Sequence, residues 1–497
     1  MLKSWKRRCT LKPSVGLPWL AQCGHGLVGF VFLFAWACQP NAQDHGTGEQ
    51  KKLASNPAAA SGEKPPHVVV VVADDLGWAD VGYHNDEIQT PQIDRLAEEG
   101  LILERMYAQP ICSPSRAAFM TGRSPMRMGL IYTPIKPWQK AGLPAEEVTL
   151  AEVFQQAGYQ TACIGKWHLG HASKRQWPTA RGFDFFYGCL TGAVDYQSHE
   201  RNGGLDWQRN GESVRENGYA THLLAREAVR LLENHQGDRP LFLYLPFTAP
   251  HSPLQAPAKA VEAYPELTGR RKTYAAMVSE LDRAVGEIRT ALERKNMMQS
   301  TCILFLSDNG ASRQFGGRNR PLRGAKSTPW EGGIRVPAVL HWPAKLKAGQ
   351  RTQQILSLED WLPTLAAMAG ASTAECLELD GENLWPALQG NRIQKRKPIF
   401  FAGEESKHRR QAVIHEPWKF VREIVKESGE VRRHLFDLKQ DPSERKNLFQ
   451  DFPAEAKRLE ELLDTWAALH PEDGADYQPD MPQGWRPPKD WAKAASE

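Results

Sequence analysis

Four stretches of the chain run apolar and then stop on groups that carry charge or donate hydrogen bonds. "HVVVVVADDLG" starts at His67 and ends its β-branched run on Asp74 and Asp75. "YQTACIGKWHLG" delivers Lys166 and His168, "PLFLYLPFTAPHSP" delivers His251, and "TCILFLSDNG" delivers Asp308 and Asn309. Continuous runs of this kind are the pattern of strands buried on both faces of a parallel sheet. Each is therefore predicted to be a strand, with its polar cargo at the same, carboxyl, end.

Helical periods lie between these strands. Thr149 opens a Thr-x-x-Glu capping box on a segment that stops at Gly158, and Tyr274, Met277, Val278, Leu281, Val285, Ile288 and Leu292 repeat at helical spacing. Alternating strands and helices predict an α/β fold, a doubly wound, mainly parallel sheet with helices on both faces. Such sheets bind ligands beyond the carboxyl ends of their strands, so the topology predicts that these acids, lysines and histidines converge. Singly, each has an ordinary reading: Asp-Asp as turn chemistry, His as packing, Lys as solvated charge. Their arrival together at one end of one sheet is what makes them a candidate site.

After "GENLWPALQGNRIQKRKP" the pattern shortens to "PIFFAG", "RQAVIHE", "WKFVREI" and "RRHLFDL", followed by a helix-like segment from Pro453 to Leu469. This predicts a smaller C-terminal domain, an antiparallel sheet packed by a helix. The expected divisions are a large domain over 66–395, an α+β subdomain over 396–475 and an irregular tail over 476–497.

The 497 residues, 41% of them apolar, suffice for one large domain with an appendage. The net charge of +4 is small for this length and argues against nucleic acid as a partner, so anion recognition falls to a few local cations. At the N-terminus, Lys3, Lys6, Arg7 and Arg8 precede "GLVGFVFLFAWAC", the order of an export signal over 1–38. Cys38 is placed as the lipid-carrying first residue of a lipoprotein, and "KRRCTLK" has a twin-arginine look; a permanent membrane anchor is the alternative. Residues 39–65 have the content of a flexible linker. The expected location is outside the cytoplasm: periplasmic, attached to the outer membrane as a lipoprotein, or secreted, with membrane contact only through Cys38. Of eight cysteines, Cys9, Cys23 and Cys38 belong to the leader and Cys163 and Cys302 sit in apolar runs, so this is no disulfide scaffold.

Cys112 stands apart. In "QPICSPSRAAFMTGR" it is surrounded by Pro110, Ser113, Pro114, Ser115 and Arg116, which predict a polar, turn-rich neighbourhood. A buried structural thiol is one reading and a thiol held for chemistry the other. Asp74, Asp75, Asp308 and Asn309 offer only hard oxygen donors with three formal negative charges, which suits Ca²⁺ or Mg²⁺ and not zinc; calcium is favoured for an all-protein cage. Arg116, Lys166, Lys326, His168 and His251 add positive charge or donors. A pocket of this make-up predicts an anion seated on a cation, with a tetrahedral oxyanion ester as its occupant.

These residues resemble the type I, formylglycine-dependent sulfatases of the alkaline-phosphatase-like superfamily. The resemblance is carried by Cys112-Ser113-Pro114-Ser115-Arg116 as a Cys-x-Pro-x-Arg motif followed by "AAFMTGR". It is carried too by "ADDLGWADVGYH", "GKWHLG", "APHSP", "SDNG", "LRGAKSTPWEGGIRVP" and "LFDLKQDPSERKNL" in that set. Within the family the likeness runs to the arylsulfatase B, or N-acetylgalactosamine 4-sulfatase, branch through "YGCLTGAVDYQSHER", "FGGRNRPLRGAKSTPWEGG" and "DWLPTL". The leader and the absence of the animal enzymes' disulfide pattern imply a bacterial member.

The resemblance implies hydrolysis of sulfate esters on a sulfated carbohydrate, and a maturation enzyme that oxidises Cys112 to formylglycine. It implies Ca²⁺ held by Asp74, Asp75, Asp308, Asn309 and the group made from Cys112. The hydrated aldehyde attacks sulfur with Asp308 as base, Arg116 steadies that aldehyde, and Lys166 and Lys326 neutralise the sulfate oxygens. His251, helped by Lys326, serves the leaving alcohol, and His168 takes the proton whose loss expels sulfate by C–O cleavage. Two alternatives stand beside this: a phosphonate or phosphate monoester hydrolase of the same superfamily, and a non-catalytic binder of sulfated glycans if Cys112 stays a thiol.

Overall fold

The structure, a computed structural model, describes residues 64–391, 393, 395–475 and 480–497. The export signal, Cys38 and residues 39–63 of the linker lie outside the described residues.

A ten-stranded sheet forms the centre. Its middle is the parallel block Thr301–Ser307, His67–Ala73, Leu241–Pro246, Gln160–Lys166 and Phe185–Cys189, in that spatial order. Antiparallel neighbours close both sides, Ala338–His341 against Thr301–Ser307 and Gln208–Arg209 against Phe185–Cys189. The expected doubly wound, mainly parallel sheet is thus what forms, and its four cargo-bearing strands lie side by side. The register is unbroken at the point that matters: His67 pairs with Thr301 and Ala73 with Ser307, so Asp74 and Asp308 leave the sheet level with one another.

Alternate side chains of one strand feed opposite cores. Val68, Val70 and Val72 pack toward the helices Cys112–Thr121, Leu150–Gln156 and Trp361–Ala369. Val69 and Val71 pack toward Pro91–Glu99, Ala220–Asn234 and Gly269–Arg294. Burial on both faces is why the strand could be apolar at every position. The capping box forms as read: Glu152 N–H donates to Thr149 Oγ1 (3.1 Å) and Thr149 N–H to Glu152 Oε2 (2.6 Å).

One expectation is corrected. The segment that begins at Cys112 is no polar turn but a ten-residue helix, Cys112–Thr121, buried at every position. Its serines and proline belong to the first turn, where backbone N–H groups have no partner within the helix, so Pro114 costs nothing there. Ser113 Oγ accepts from Ile135 N–H (3.1 Å) and Ser115 Oγ donates to Gln109 O (2.9 Å). The polar residues are hydrogen-bond partners inside the protein, which composition alone could not distinguish from solvent exposure.

The C-terminal part is a four-stranded antiparallel sheet, Ile399–Glu404, His408–His415, Trp418–Val425 and Val431–Asp437. One face packs Phe401, Ile414 and Phe436 on Tyr107 and Trp330 of the large domain; the other packs Val413 and Phe420 on Leu459 and Leu463 of the helix Pro453–Ala467. At the seam, Lys419 Nζ reaches Glu331 Oε1 (2.9 Å) and Glu444 Oε1 (2.8 Å), all three side chains fully buried. Burial pushes Glu444 up to about 7, with the Glu331 carboxylate adding to it and Lys419 opposing. Near the end of the chain, Asp490 caps a short helix, Trp491–Ala494, that packs against the large domain.

Candidate active site

The site begins where the His67–Ala73 strand stops. Asp74 and Asp75 follow directly, and Asp75 takes a left-handed φ of 66°, turning its carboxylate away from the strand axis. Tyr274, from the longest helix, fixes this loop by donating to Asp75 O (2.9 Å) and Asp80 Oδ2 (3.0 Å). The neighbouring strand contributes Asp308 and Asn309, joined to the first by Asp75 N–H to Asp308 Oδ1 (3.3 Å) and Asn309 Nδ2 to Asp75 Oδ1 (2.7 Å).

Each carboxylate is met by one cation. Lys166 Nζ lies 2.5 Å from Asp74 Oδ2, Lys326 Nζ lies 2.6 Å from Asp75 Oδ1, and Arg116 Nη2 lies 2.8 Å from Asp308 Oδ2 and 3.6 Å from Asp74 Oδ2. Burial alone would raise Asp74, but Lys166, with His251 and Arg116 behind it, holds it well below the usual carboxylate range. Burial and the Asp74 charge push Asp308 up to about 6 against the pull of Arg116. Lys326 is driven upward, because Asp75 more than offsets its burial.

The two histidines are held neutral. His168 sits at φ 58°, and its Nε2 faces Ile135 O at 3.0 Å. A carbonyl only accepts, so Nε2 carries the proton and Nδ1 keeps a lone pair, buried and without a hydrogen-bond partner. Burial, reinforced by Lys166, holds the ring well below its ordinary value. His251 Nδ1 donates to Ser252 O (2.6 Å), and Nε2 points toward Asp75 Oδ2 at 3.8 Å; burial, then Lys326, brings it down to about 4.

The donor set fits a hard divalent cation. Asp74 Oδ1 and Asn309 Oδ1 are both buried without a hydrogen-bond partner. Orphaned oxygens cost free energy in a protein interior unless something positive meets them. Among the described residues, the ligand atoms of Asp74, Asp75 and His251 also lie within 4.8 Å of one another. Asp74, Asp75, Asp308 and Asn309 would supply the oxygens, and His251 stands at their edge.

All ten predicted residues are thus in one place, drawn from separate elements: Asp74, Asp75, Cys112, Arg116, Lys166, His168, His251, Asp308, Asn309 and Lys326. Cys112 occupies the first turn of its helix, and its thiol acts electrostatically on Lys326 and Arg116. A cleft of about 530 Å³ opens beside Lys326, lined by Arg313, Arg323 and Trp330 of the large domain and by Glu404 and Glu405 of the C-terminal sheet. Tyr274 was legible only as a packing position, since its period said nothing of its hydroxyl. Gly192 carried no signal at all, yet a Cβ there would lie 2.5 Å from the His168 ring.

A sulfatase family model matches residues 66–371, and a model for the C-terminal region of N-sulphoglucosamine sulphohydrolase matches 325–468. Arylsulfatase J of Mus musculus is 40% identical over 340 residues, covering 67% of this chain and 57% of that protein. The chain therefore spans little more than half of that relative's length. Human N-acetylgalactosamine-6-sulfatase is 34% identical over 373 residues, 70% of each chain. Among solved structures, Ps i-CgsB aligns with a TM-score of 0.77 at 34% identity, over 82% of this chain and 94% of that one, and has been seen in complex with k-i-k-neocarrahexaose.

Proposed function

The chain belongs to the sulfatase family, and from that premise we propose that it hydrolyses sulfate esters on a sulfated carbohydrate through a nucleophile made from Cys112. The observation that carries this reading is the one-to-one matching of three buried carboxylates by Arg116, Lys166 and Lys326 around two orphaned oxygens, with Cys112 on the adjoining helix turn.

Calcium, held by Asp74, Asp75, Asp308 and Asn309, supplies positive charge that polarises the ester oxygens and favours the ionised nucleophile. Oxidised to formylglycine by a maturation enzyme, Cys112 offers an oxygen nucleophile in place of sulfur. Arg116 holds that side chain and Asp308 in fixed relation, through two hydrogen bonds to one carboxylate oxygen. Lys166 and Lys326 stand where negative charge develops on the sulfate, in a site too buried for water to screen them. His168, with Nδ1 bare and its tautomer set by Ile135, is placed to accept a proton. Lys326 and His251 meet over Asp75 and serve the leaving oxygen.

The cleft beside Lys326 supports a carbohydrate substrate, since it joins arginines, an aromatic ring and acids from both domains. The complex of Ps i-CgsB with k-i-k-neocarrahexaose supports the same class. The leader supports action outside the cytoplasm; no helix among the described residues is long and apolar enough to cross a membrane.

Mass spectrometry of the tryptic peptide 106–116 from protein made in its native host, together with sulfate release from a panel of sulfated sugars, tests the reading. The aldehyde and released sulfate are expected. A thiol alone, with the maturation machinery active, or faster turnover of phosphate than sulfate esters, would overturn it.

A further inference from the structure

Arg201 stands outside the roles assigned above. It lies on the short strand Glu200–Arg201, paired antiparallel with Gly204–Leu205 around Asn202 and Gly203, both at left-handed φ (53° and 84°). The side chain is half-buried, and its Nε is buried with no hydrogen-bond partner; among the described residues its guanidinium forms no ion pair. Its charge nevertheless reaches the site. Burial lowers Arg201 with Asp206, Cys189 and Cys112 opposing, and Arg201 is one of the charges that keep His168 neutral.

A partly desolvated guanidinium without a carboxylate is costly, and its planar fork matches a sulfate or carboxylate better than an ammonium does. The charges nearby do not use it. Asp74, Asp75 and Asp308 are matched three against three by Lys166, Lys326 and Arg116.

What fixes this hairpin comes from far along the chain. Leu205 N–H donates to Lys489 O (3.0 Å), and Gly204 has no room for a Cβ because the Pro488 carbonyl lies against it. Trp491 Nε1 donates to Arg201 O (3.3 Å), while its ring meets His171 edge-on at 5.2 Å. Asp490 accepts from Ser213 Oγ (2.7 Å) and caps the helix that carries Trp491. Five residues further, Ser496 N–H donates to Ala172 O (2.9 Å) and Ser496 O accepts from Lys174 N–H (2.8 Å). The tail thus ties the Arg201 hairpin to the loop that follows His168.

We propose that Arg201 recognises a second anionic group, sulfate or carboxylate, on the sugar bearing the scissile ester, and that the 488–496 tail positions it for that contact. The inference rests on the sulfatase reading of the site.

Binding is measured by calorimetry on the calcium-loaded full chain in a Cys112→Ala background, so that no turnover intrudes. The probes are pairs that differ by one charge: N-acetylgalactosamine 4-sulfate against its 4,6-disulfate, neocarrabiose with one sulfate against two, and the unsaturated chondroitin 4-sulfate disaccharide with its uronate methylated against free. The expected result is a preference of roughly tenfold or more for the more charged member of at least one pair, falling to about twofold or less with Arg201→Ala and partly kept with Arg201→Lys. Trp491→Phe should weaken that preference with the melting temperature unchanged. No preference in any pair, or one that survives Arg201→Ala, overturns the assignment of Arg201. A preference that survives both Trp491→Phe and removal of 488–497 overturns the role of the tail. Hydrolysis is not read here, so the sulfatase reading stands or falls separately on sulfate release.

Discussion

Arg116 donates through both Nε (3.1 Å) and Nη2 (2.8 Å) to the same oxygen of Asp308, and through Nη1 to the carbonyl of Lys166 (2.7 Å). One side chain from the Cys112 helix therefore fixes the ends of two strands that are separated from each other in the sheet by two more.

Lysine cannot replace that fork. Arg116→Lys keeps the charge but loses at least two of the three hydrogen bonds, leaving Asp308 buried beside Asp74. We expect kcat to fall by about 10²-fold or more and stability to fall by about 3 kcal/mol. Sulfate release and urea unfolding measure the two effects, and a variant of native stability would contradict the buried-pair argument.

Calcium should behave as a folded-state ligand. The orphaned oxygens of Asp74 and Asn309 predict that calcium at 100 times its dissociation constant stabilises the chelated protein by about 2.7 kcal/mol. Thermal melts with and without calcium after EDTA treatment read this directly. Asn309→Ala should shrink the calcium-dependent increment, and an undiminished increment would place the ion elsewhere.

Gly192→Ala sets a methyl group 2.5 Å from His168 Cε1 and 2.6 Å from Nε2, so the imidazole must move off Ile135 O. A displacement near 1 Å costs about 10²-fold in rate when the group transfers a proton. Gly158→Ala is the control: its φ of 87° is strained for alanine, but nothing lies within 4 Å. That change should cost only about 1 kcal/mol of stability and leave kcat alone.

His67 gives a pH dependence away from the site. Its Nδ1 accepts from Leu241 N–H (3.1 Å), so the ring must be neutral there, and burial, then His235, lowers it to about 4. The unfolded chain takes up this proton near 6.5 and the folded chain does not. Stability is therefore full above 6.5 and is lost as pH falls through the window from 6.5 to 4. The shift converts to about 3 kcal/mol, which partial exposure reduces to about 1–2 kcal/mol. Urea unfolding of His67→Gln and of the native protein at pH 7 and pH 4.5 should differ in slope by that amount; equal slopes would remove His67 as the cause.

Strand-ending polar groups were legible because burial on two faces leaves an apolar run unbroken until the chain leaves the sheet, as at Val68–Ala73 before Asp74. The convergence of Lys166, His251 and Asp308 followed from parallel topology alone. The Cys112 helix was misread because serine and proline in a first turn look the same whether their partners are water or Gln109 O and Ile135 N–H. Arg201, Gly192 and the Tyr274 hydroxyl were invisible for a common reason: their roles depend on contacts between segments far apart in sequence, and no local period records those.

Lys419 sits in the C-terminal sheet with both its carboxylates, Glu331 and Glu444, sealed from water, and Tyr107 donates to Glu331 Oε2 (2.9 Å) from the strand that leads to Cys112. Cutting the chain near residue 395 would strand Glu331 without its cation, at a cost of about 3–5 kcal/mol, and lay bare Tyr107 and Trp330 besides. The boundary visible in the sequence is therefore not a place where the protein can be divided. The part that holds the nucleophile is not portable: it can be inherited, transplanted or expressed only together with the sheet that supplies Lys419.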